Sequence, residues 1–100
     1  MNEITVTELS ALPDAVIVDV REDDEYANAH IPGVTHIPLS DFVARVNDVP
    51  DASPVYVVCA AGGRSAQAVS YLAGRGIDAV NVAGGTIAWQ QAGLPVQQGA

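Results

Sequence analysis

The chain has 100 residues, and 49% of them are hydrophobic, which suits one compact domain over residues 1–100. Twelve acidic residues stand against four arginines and no lysine, and the net charge of −8 argues against nucleic-acid or anionic-membrane partners. No apolar run approaches the roughly 18 residues that a membrane span needs. The start lacks the basic residues of a secretory signal, and one cysteine cannot form an internal disulfide, so we predict a reducing, cytoplasmic location.

The first fifth of the chain predicts two short strands with a helix between them. Residues 4–6 are β-prone, and Thr7 is the predicted N-cap of a helix over residues 8–11. Residues 15–20 form a largely apolar run, which is typical of a strand buried on both faces of a parallel sheet.

Charged residues follow this second strand. Asp19 and Arg21 stand at its carboxyl end, the edge of an open α/β sheet at which ligands bind. From the residues alone, a solvated pair in a loop or a structural ion pair is the simpler interpretation. Residues 22–25 are all acidic and predict the solvated first turn of a short helix through Ala29, where acidic side chains suit the helix dipole.

His30 and His36 flank a Pro-Gly turn, and no further ligand pattern accompanies them. We therefore predict structural roles for both histidines and no metal site. Residues 34–37 predict a third strand. Ser40 is a suitable N-cap for a helix after it, with an apolar stripe formed by Phe42, Val43 and Val46.

The second half of the chain repeats the alternation of strand and helix. Strands are predicted at 55–58 and 79–82, and helices at 65–75 and from Gly84 to Gly93, while residues 97–100 are expected to fray. The residues of the first of these helices that are predicted to face the sheet are Ala66, Val69, Leu72 and Ala73. Trp89 is expected in the core. Alternating strands and helices predict one α/β domain with a parallel sheet.

The central strand leads directly into Cys59, the only cysteine. The sequence Cys-Ala-Ala-Gly-Gly-Arg-Ser over residues 59–65, called the Cys59 loop below, then precedes a helix. Such a loop can direct several backbone N–H groups and the positive end of a helix dipole at one point, which favours a thiolate. We therefore predict a cysteine nucleophile at an anion-binding loop rather than a core cysteine.

The Cys59 loop resembles the active-site loop of the rhodanese sulfurtransferases. Three further segments match that family in the same order, so the resemblance covers nearly the whole chain. They are Asp-Val-Arg-Glu at 19–22, His-Ile-Pro-Gly-Val at 30–34 with Ile-Pro at 37–38, and Gly-Gly at 84–85 with Ala-Trp at 88–89 and Gly-Leu-Pro-Val at 93–96. The resemblance implies a three-layer α/β domain with a central, mainly parallel five-stranded sheet flanked by helices.

The resemblance also implies a chemistry, sulfur transfer through a persulfide on Cys59. Arg64 would stabilise the loop and its negative charge, Arg21 would contact substrate, and Asp19 would order the site. The backbone groups that would bind the transferred sulfur belong to Ala60, Ala61, Gly62, Gly63 and Ser65, and Ser65 is also expected to cap the helix. The donor would be thiosulfate or a persulfide, the acceptor a thiol or cyanide, and no cofactor is needed.

Ala60 and Ala61 depart from the family pattern, because many members carry a basic residue there. A doubly negative donor should then bind poorly, so a persulfide on a small thiol or on a protein partner is the alternative donor. Three other functions remain open. They are a phosphatase or arsenate reductase, whose loops have five rather than four residues between Cys and Arg, a non-catalytic binding module, and a redox-sensing thiol, which would want a second cysteine.

Overall fold

The computed structural model describes residues 2–99 of the chain. Within this range the backbone forms five strands: Glu3–Ile4 (β1), Ile17–Asp19 (β2), Thr35–His36 (β3), Val55–Val58 (β4) and Ala79–Val82 (β5). The same range forms four α-helices, which are Val6–Ser10 (α1), Asp23–Asn28 (α2), Gly63–Gly74 (α3) and Gly85–Gln91 (α4), and two short 3-10 turns at Leu39–Asp41 and Val46–Asp48.

The strands form one parallel sheet in the order β1-β5-β4-β2-β3. The longest strands, β4 and β5, lie next to each other, and β2 flanks β4 with Asp19 opposite Val58. The carboxyl ends of these strands therefore meet at one edge of the sheet, where Cys59 follows β4. The predicted α/β fold with a five-stranded parallel sheet between helices is confirmed.

Apolar side chains cover both faces of the sheet, as expected for buried parallel strands. On one face, α3 covers β4 through Ala68, Val69 and Leu72, and Cys59 belongs to this cluster. On the other face, α1 and α4 contribute Leu9 and Trp89, so the predicted core position of Trp89 is confirmed. The two clusters make the three layers helix, sheet and helix.

The first strand and helix are present as predicted, but their bounds and the predicted N-cap are wrong. The helix α1 begins at Val6, which is buried, and its N-cap is Thr5 rather than Thr7. The Thr5 hydroxyl accepts the Glu8 N–H and the Glu8 carboxylate accepts the Thr5 N–H, both at 3.1 Å. This reciprocal pair, a capping box, converts the second half of the predicted strand 4–6 into the start of a helix.

The helix predicted after Ser40 is also wrong. Ser40 lies inside the first 3-10 turn, and its hydroxyl donates to the Glu22 carboxylate at 2.8 Å instead of capping a helix. Phe42 is buried as predicted, whereas Val43 is 64% exposed. On α3, Ala73 is likewise exposed, and Ala68 fills the inward position.

The chain after α4 is held in place by hydrogen bonds as far as Gly99 and does not fray there. His30 and Gln97 exchange two backbone hydrogen bonds of 2.8 Å, and the Gly99 N–H donates to the Ala27 carbonyl at 2.8 Å. The predicted fraying is therefore wrong for residues 97–99, and Ala100 lies outside the described residues.

Candidate active site

Cys59 is the first residue after β4, and its loop turns directly into α3. Gly62 makes this turn possible, because its φ of 117° lies in a region that side-chain-bearing residues rarely adopt. The Gly62 N–H donates to Cys59 Sγ at 3.1 Å. The sulfur therefore lies at the amino end of a 12-residue helix, facing backbone N–H groups as the sequence predicts.

Ser65 plays a different structural part from the predicted cap. The helix α3 begins at Gly63 and Gly62 is its N-cap, so Ser65 lies within the first turn and is fully buried. Its Oγ lies 3.3 Å from Cys59 Sγ and 2.6 Å from the Asn81 Oδ1. Its side chain thus reaches the sulfur.

The pKa of the Cys59 thiol results from two opposing effects. Burial, with only 1% of the residue exposed, raises the pKa, since a thiolate loses its hydration there. Hydrogen bonds from Ser65 and from the backbone N–H groups of Gly62 and Ala61 lower it. The hydrogen bonds prevail together, so the pKa of Cys59 lies below its ordinary value and the thiolate is favoured.

Arg64 extends from the Cys59 loop to α2. Its two terminal nitrogens donate to the two carboxylate oxygens of Glu25, at 2.6 and 2.8 Å. The hydrogen bond from Arg64 lowers the pKa of Glu25 to about 2, and the same contact raises the pKa of Arg64. The acidic run 22–25 is therefore not simply solvated, since Glu25 ties the Cys59 loop to α2.

Arg21 and Asp19 form a buried pair beside the loop. Arg21 Nη2 lies 3.0 Å from Asp19 Oδ2 and donates to the Ala29 carbonyl at 2.7 Å, and Nε donates to both carboxylate oxygens at 3.2 Å. Arg21 is 6% exposed and Asp19 is fully buried. Most of the Arg21 donors are thus used within the protein, which suits an ordering role better than a substrate contact.

The amino end of α4, which lies on the opposite face of the sheet from α3, also supports the Cys59 loop. The Thr86 N–H donates to the Cys59 carbonyl at 2.9 Å, and the Ile87 N–H donates to the Ala60 carbonyl at 3.1 Å. Gly85 permits this approach, because a Cβ added there would lie 2.4 Å from the Cys59 carbonyl oxygen. The conformation of the loop therefore depends on contacts from α2, α4 and β5.

A comparison with known proteins identifies the family. The profile of the rhodanese-like domain matches residues 5–92. The chain belongs to the rhodanese-like domain family. A sulfurtransferase of Allochromatium vinosum is 36% identical over 96% of this chain and 94% of its own length. The crystal structure of a rhodanese-related protein from Thermoplasma volcanium superposes with a TM-score of 0.90 at 31% identity, covering 97% of this chain and 98% of the other.

One relative is much longer than this rhodanese-like domain. YrkF of Bacillus subtilis, whose name proposes a sulfur carrier protein, is 42% identical over 74 residues. The match takes in 73% of this chain but only 40% of YrkF. The domain therefore also occurs as a part of larger proteins.

The two histidines of the rhodanese-like domain enclose Tyr26. The Tyr26 ring stacks between His30 and His36, with centroid distances of 3.8 and 4.0 Å. His30 Nδ1 also lies 2.8 Å from the Tyr26 carbonyl, and His36 Nε2 lies 2.6 Å from the Arg21 carbonyl. Both histidines are thus used in packing beside the Asp19–Arg21 pair, as predicted.

Residues 2–99 contain neither a cluster of metal ligands nor a helix that could span a membrane. Within this range, no group of three or more His, Cys, Asp or Glu side chains lies close enough together to bind a metal ion. In that same range every helix is too short or too polar to cross a bilayer.

Proposed function

We propose that the protein is a sulfurtransferase that carries sulfur as a persulfide on Cys59. The observation that carries the proposal is the position of the Cys59 sulfur, which lies at the start of α3, accepts a hydrogen bond from the Gly62 N–H and lies 3.3 Å from the Ser65 hydroxyl oxygen. The sulfurtransferase of Allochromatium vinosum, which matches this chain over almost its whole length, supports the same class of reaction.

The reaction is a double displacement that needs no cofactor. The Cys59 thiolate attacks the outer sulfur of the donor and forms a new S–S bond, while the donor's bond to that sulfur breaks. The electron pair of the broken bond leaves with sulfite if the donor is thiosulfate, or with a thiolate if it is a persulfide. The outer sulfur then carries the negative charge, until a thiolate or cyanide attacks it and Cys59 leaves as thiolate.

The groups around Cys59 would have two roles, stabilising negative charge on sulfur and positioning the loop. The backbone N–H groups of residues 60–65 would hold the outer sulfur anion, an arrangement of the oxyanion-hole kind. Arg64 would fix the loop through its two hydrogen bonds to Glu25. Asp19 and Arg21 would order the neighbouring strand end.

The distribution of cations favours a persulfide donor over thiosulfate. Ala60 and Ala61 bring no charge, and the positive charge of Arg64 is compensated by Glu25. The other arginines are also engaged, by Asp19 for Arg21, by Asp48 for Arg45, and by the Tyr71 ring for Arg75 at the far end of α3. A dianion would therefore meet little attraction in a protein of net charge −8. The donor would be the persulfide of a small thiol or of a protein partner, in a reducing, cytoplasmic setting.

Intact mass spectrometry tests the proposal directly. Treatment with a small-thiol persulfide should add the mass of one sulfur atom to the protein, and cyanide should remove it. Cys59→Ala should take up no sulfur, and thiosulfate should load the wild-type protein more slowly than the persulfide does. A folded wild-type protein that takes up no sulfur from either donor would contradict the proposal and favour a binding module.

The same protein should not hydrolyse aryl phosphates. Cys59 is 1% exposed, and four residues separate it from Arg64, which leaves little space for the three oxygens of an attacked phosphate. A single sulfur atom needs less room. Aryl-phosphate hydrolysis that is lost in Cys59→Ser would instead assign the site to a phosphatase.

A further inference from the structure

Asn81 is a polar residue at a position where the fold calls for an apolar one. It lies on β5 on the same face as Ala79, under α3, and is 2% exposed. A buried amide is costly unless its hydrogen-bonding groups are satisfied. Asn81 satisfies them at the active site, which gives it a role beyond packing.

The partners of Asn81 fix the orientation of its amide. Nδ2 donates to the Gly62 carbonyl at 3.2 Å and to the Glu3 carboxylate at 3.1 Å. A carbonyl and a carboxylate can only accept, so the NH₂ group must face them. Oδ1 therefore faces Ser65, and at 2.6 Å it must accept the Ser65 hydroxyl proton.

A serine hydroxyl has one proton, so Ser65 cannot donate to Asn81 and to Cys59 at the same time. While the proton points to Asn81, Ser65 offers Cys59 only lone pairs, which suits the neutral thiol as a donor. Once Cys59 has lost its proton to solvent, the thiolate can only accept. Ser65 can donate to the thiolate, 3.3 Å away, only if its hydroxyl rotates toward the sulfur and leaves the Asn81 Oδ1.

We propose that Asn81 is a positioning residue that competes with Cys59 for the Ser65 hydroxyl proton and so restrains formation of the thiolate. The inference rests on the proposed role of Cys59 as nucleophile. Asn81 also acts in the opposite direction, because its bond to the Gly62 carbonyl helps to aim the Gly62 N–H at the sulfur. Replacing Asn81 alone would change the thiol pKa through both effects, so the test must separate the contribution of the Ser65 hydroxyl from that of the Gly62 N–H.

A double-mutant cycle between Asn81→Leu and Ser65→Ala isolates it. The thiol pKa is measured as the midpoint of the pH dependence of alkylation by iodoacetamide. Ser65→Ala should raise the midpoint in both backgrounds, and by about 0.5 to 1 pH unit more in the Asn81→Leu background, since one hydrogen bond has been released to the thiolate. Equal shifts in the two backgrounds, or a smaller one with Asn81→Leu, would overturn the proposal.

Two further variants complete the cycle. Asn81→Asp keeps an acceptor next to Ser65, so Ser65→Ala should raise the midpoint no more in that background than in the wild type. This variant replaces Asn81→Leu if the latter does not fold, and a larger shift there would equally overturn the proposal. Ser70→Ala makes the same substitution on the exposed side of α3 and should leave the midpoint unchanged.

The charged groups around the network are unchanged by Asn81→Leu and Ser65→Ala, and the carboxylate that Asn81→Asp adds is present both with and without Ser65→Ala. They are Glu3 on β1, Arg64 on α3 and Glu25 on α2. Alkylation requires only an accessible thiolate and no sulfur donor, so the cycle gives its answer even if no persulfide forms in the mass-spectrometric experiment. Failure of the proposed function and failure of the Asn81 proposal are thereby distinguished.

Discussion

The ion pair between Arg64 and Glu25 predicts opposite effects of one substitution on stability and on reactivity. Glu25→Gln removes a charge but leaves an amide oxygen that can still accept one hydrogen bond from Arg64. A pKa of about 2 against an ordinary 4.5 corresponds to roughly 3 kcal/mol at most. Since the Arg64 and Glu25 side chains are 34% and 33% exposed, solvent screening reduces this value, and we expect a loss of ~1–2 kcal/mol.

The pH dependence of this loss has a definite sign. Folding lowers the pKa of Glu25, so the folded state binds the proton more weakly than the unfolded chain. The stabilisation is complete above the unfolded pKa of about 4.5 and disappears as the pH falls toward about 2. Urea unfolding of the wild type and of Glu25→Gln should therefore differ by ~1–2 kcal/mol at pH 7 and converge in acid.

The matched control is Asp48→Asn. The Arg45–Asp48 pair is 42% and 57% exposed and should contribute less than ~0.5 kcal/mol. The second readout is the alkylation of Cys59, whose midpoint should fall in Glu25→Gln because the positive charge of Arg64 is no longer compensated. Equal stability of Glu25→Gln and wild type at pH 7, or a difference that persists unchanged at pH 2, would refute this account of the pair.

Two other substitutions follow from the loop geometry. Gly85→Ala should abolish most sulfur transfer, because its Cβ would lie 2.4 Å from the Cys59 carbonyl oxygen and 2.5 Å from the Ala60 carbonyl oxygen. The control Gly74→Ala should keep full activity, because its Cβ would meet no atom within 4 Å. Steady-state kinetics check this, and an active Gly85→Ala enzyme would contradict the bracing role of α4. Ala61→Lys should lower the KM for thiosulfate several-fold and that for a small-thiol persulfide much less, and an equal effect on both would contradict the charge argument.

The geometry of the Cys59 loop could be predicted from sequence because its signals are local. A strand, a lone cysteine, glycines and a helix start follow one another within residues 55–65. The structure places Cys59 and Gly62 as this order indicates. The capping box of Thr5 and Glu8 is also a local signal, and the spacing of three residues could have revealed it.

The partners of the loop could not be predicted in the same way. Glu25 and Arg64 are 39 positions apart, and Ser65 and Asn81 are 16 apart. No periodicity indicates which acidic residue in the run 22–25 will meet an arginine, because the answer depends on how α2 lies beside α3. In the sequence, Asn81 is only a polar residue within an apolar strand, and its contact with Ser65 becomes visible only in the folded sheet.

The burial of the Cys59 thiol limits how the protein can favour its charged form. Cys59 belongs to the hydrophobic cluster under α3, so an unpaired cation beside it would itself be costly to bury. Backbone N–H groups and hydroxyls carry no net charge and can be buried if they are hydrogen-bonded. The loop N–H groups and Ser65 meet this condition, while the charge of Arg64 stays at the surface with Glu25. Reactivity at Cys59 therefore depends on how accurately Gly62, Gly85 and Asn81 hold neutral dipoles in place.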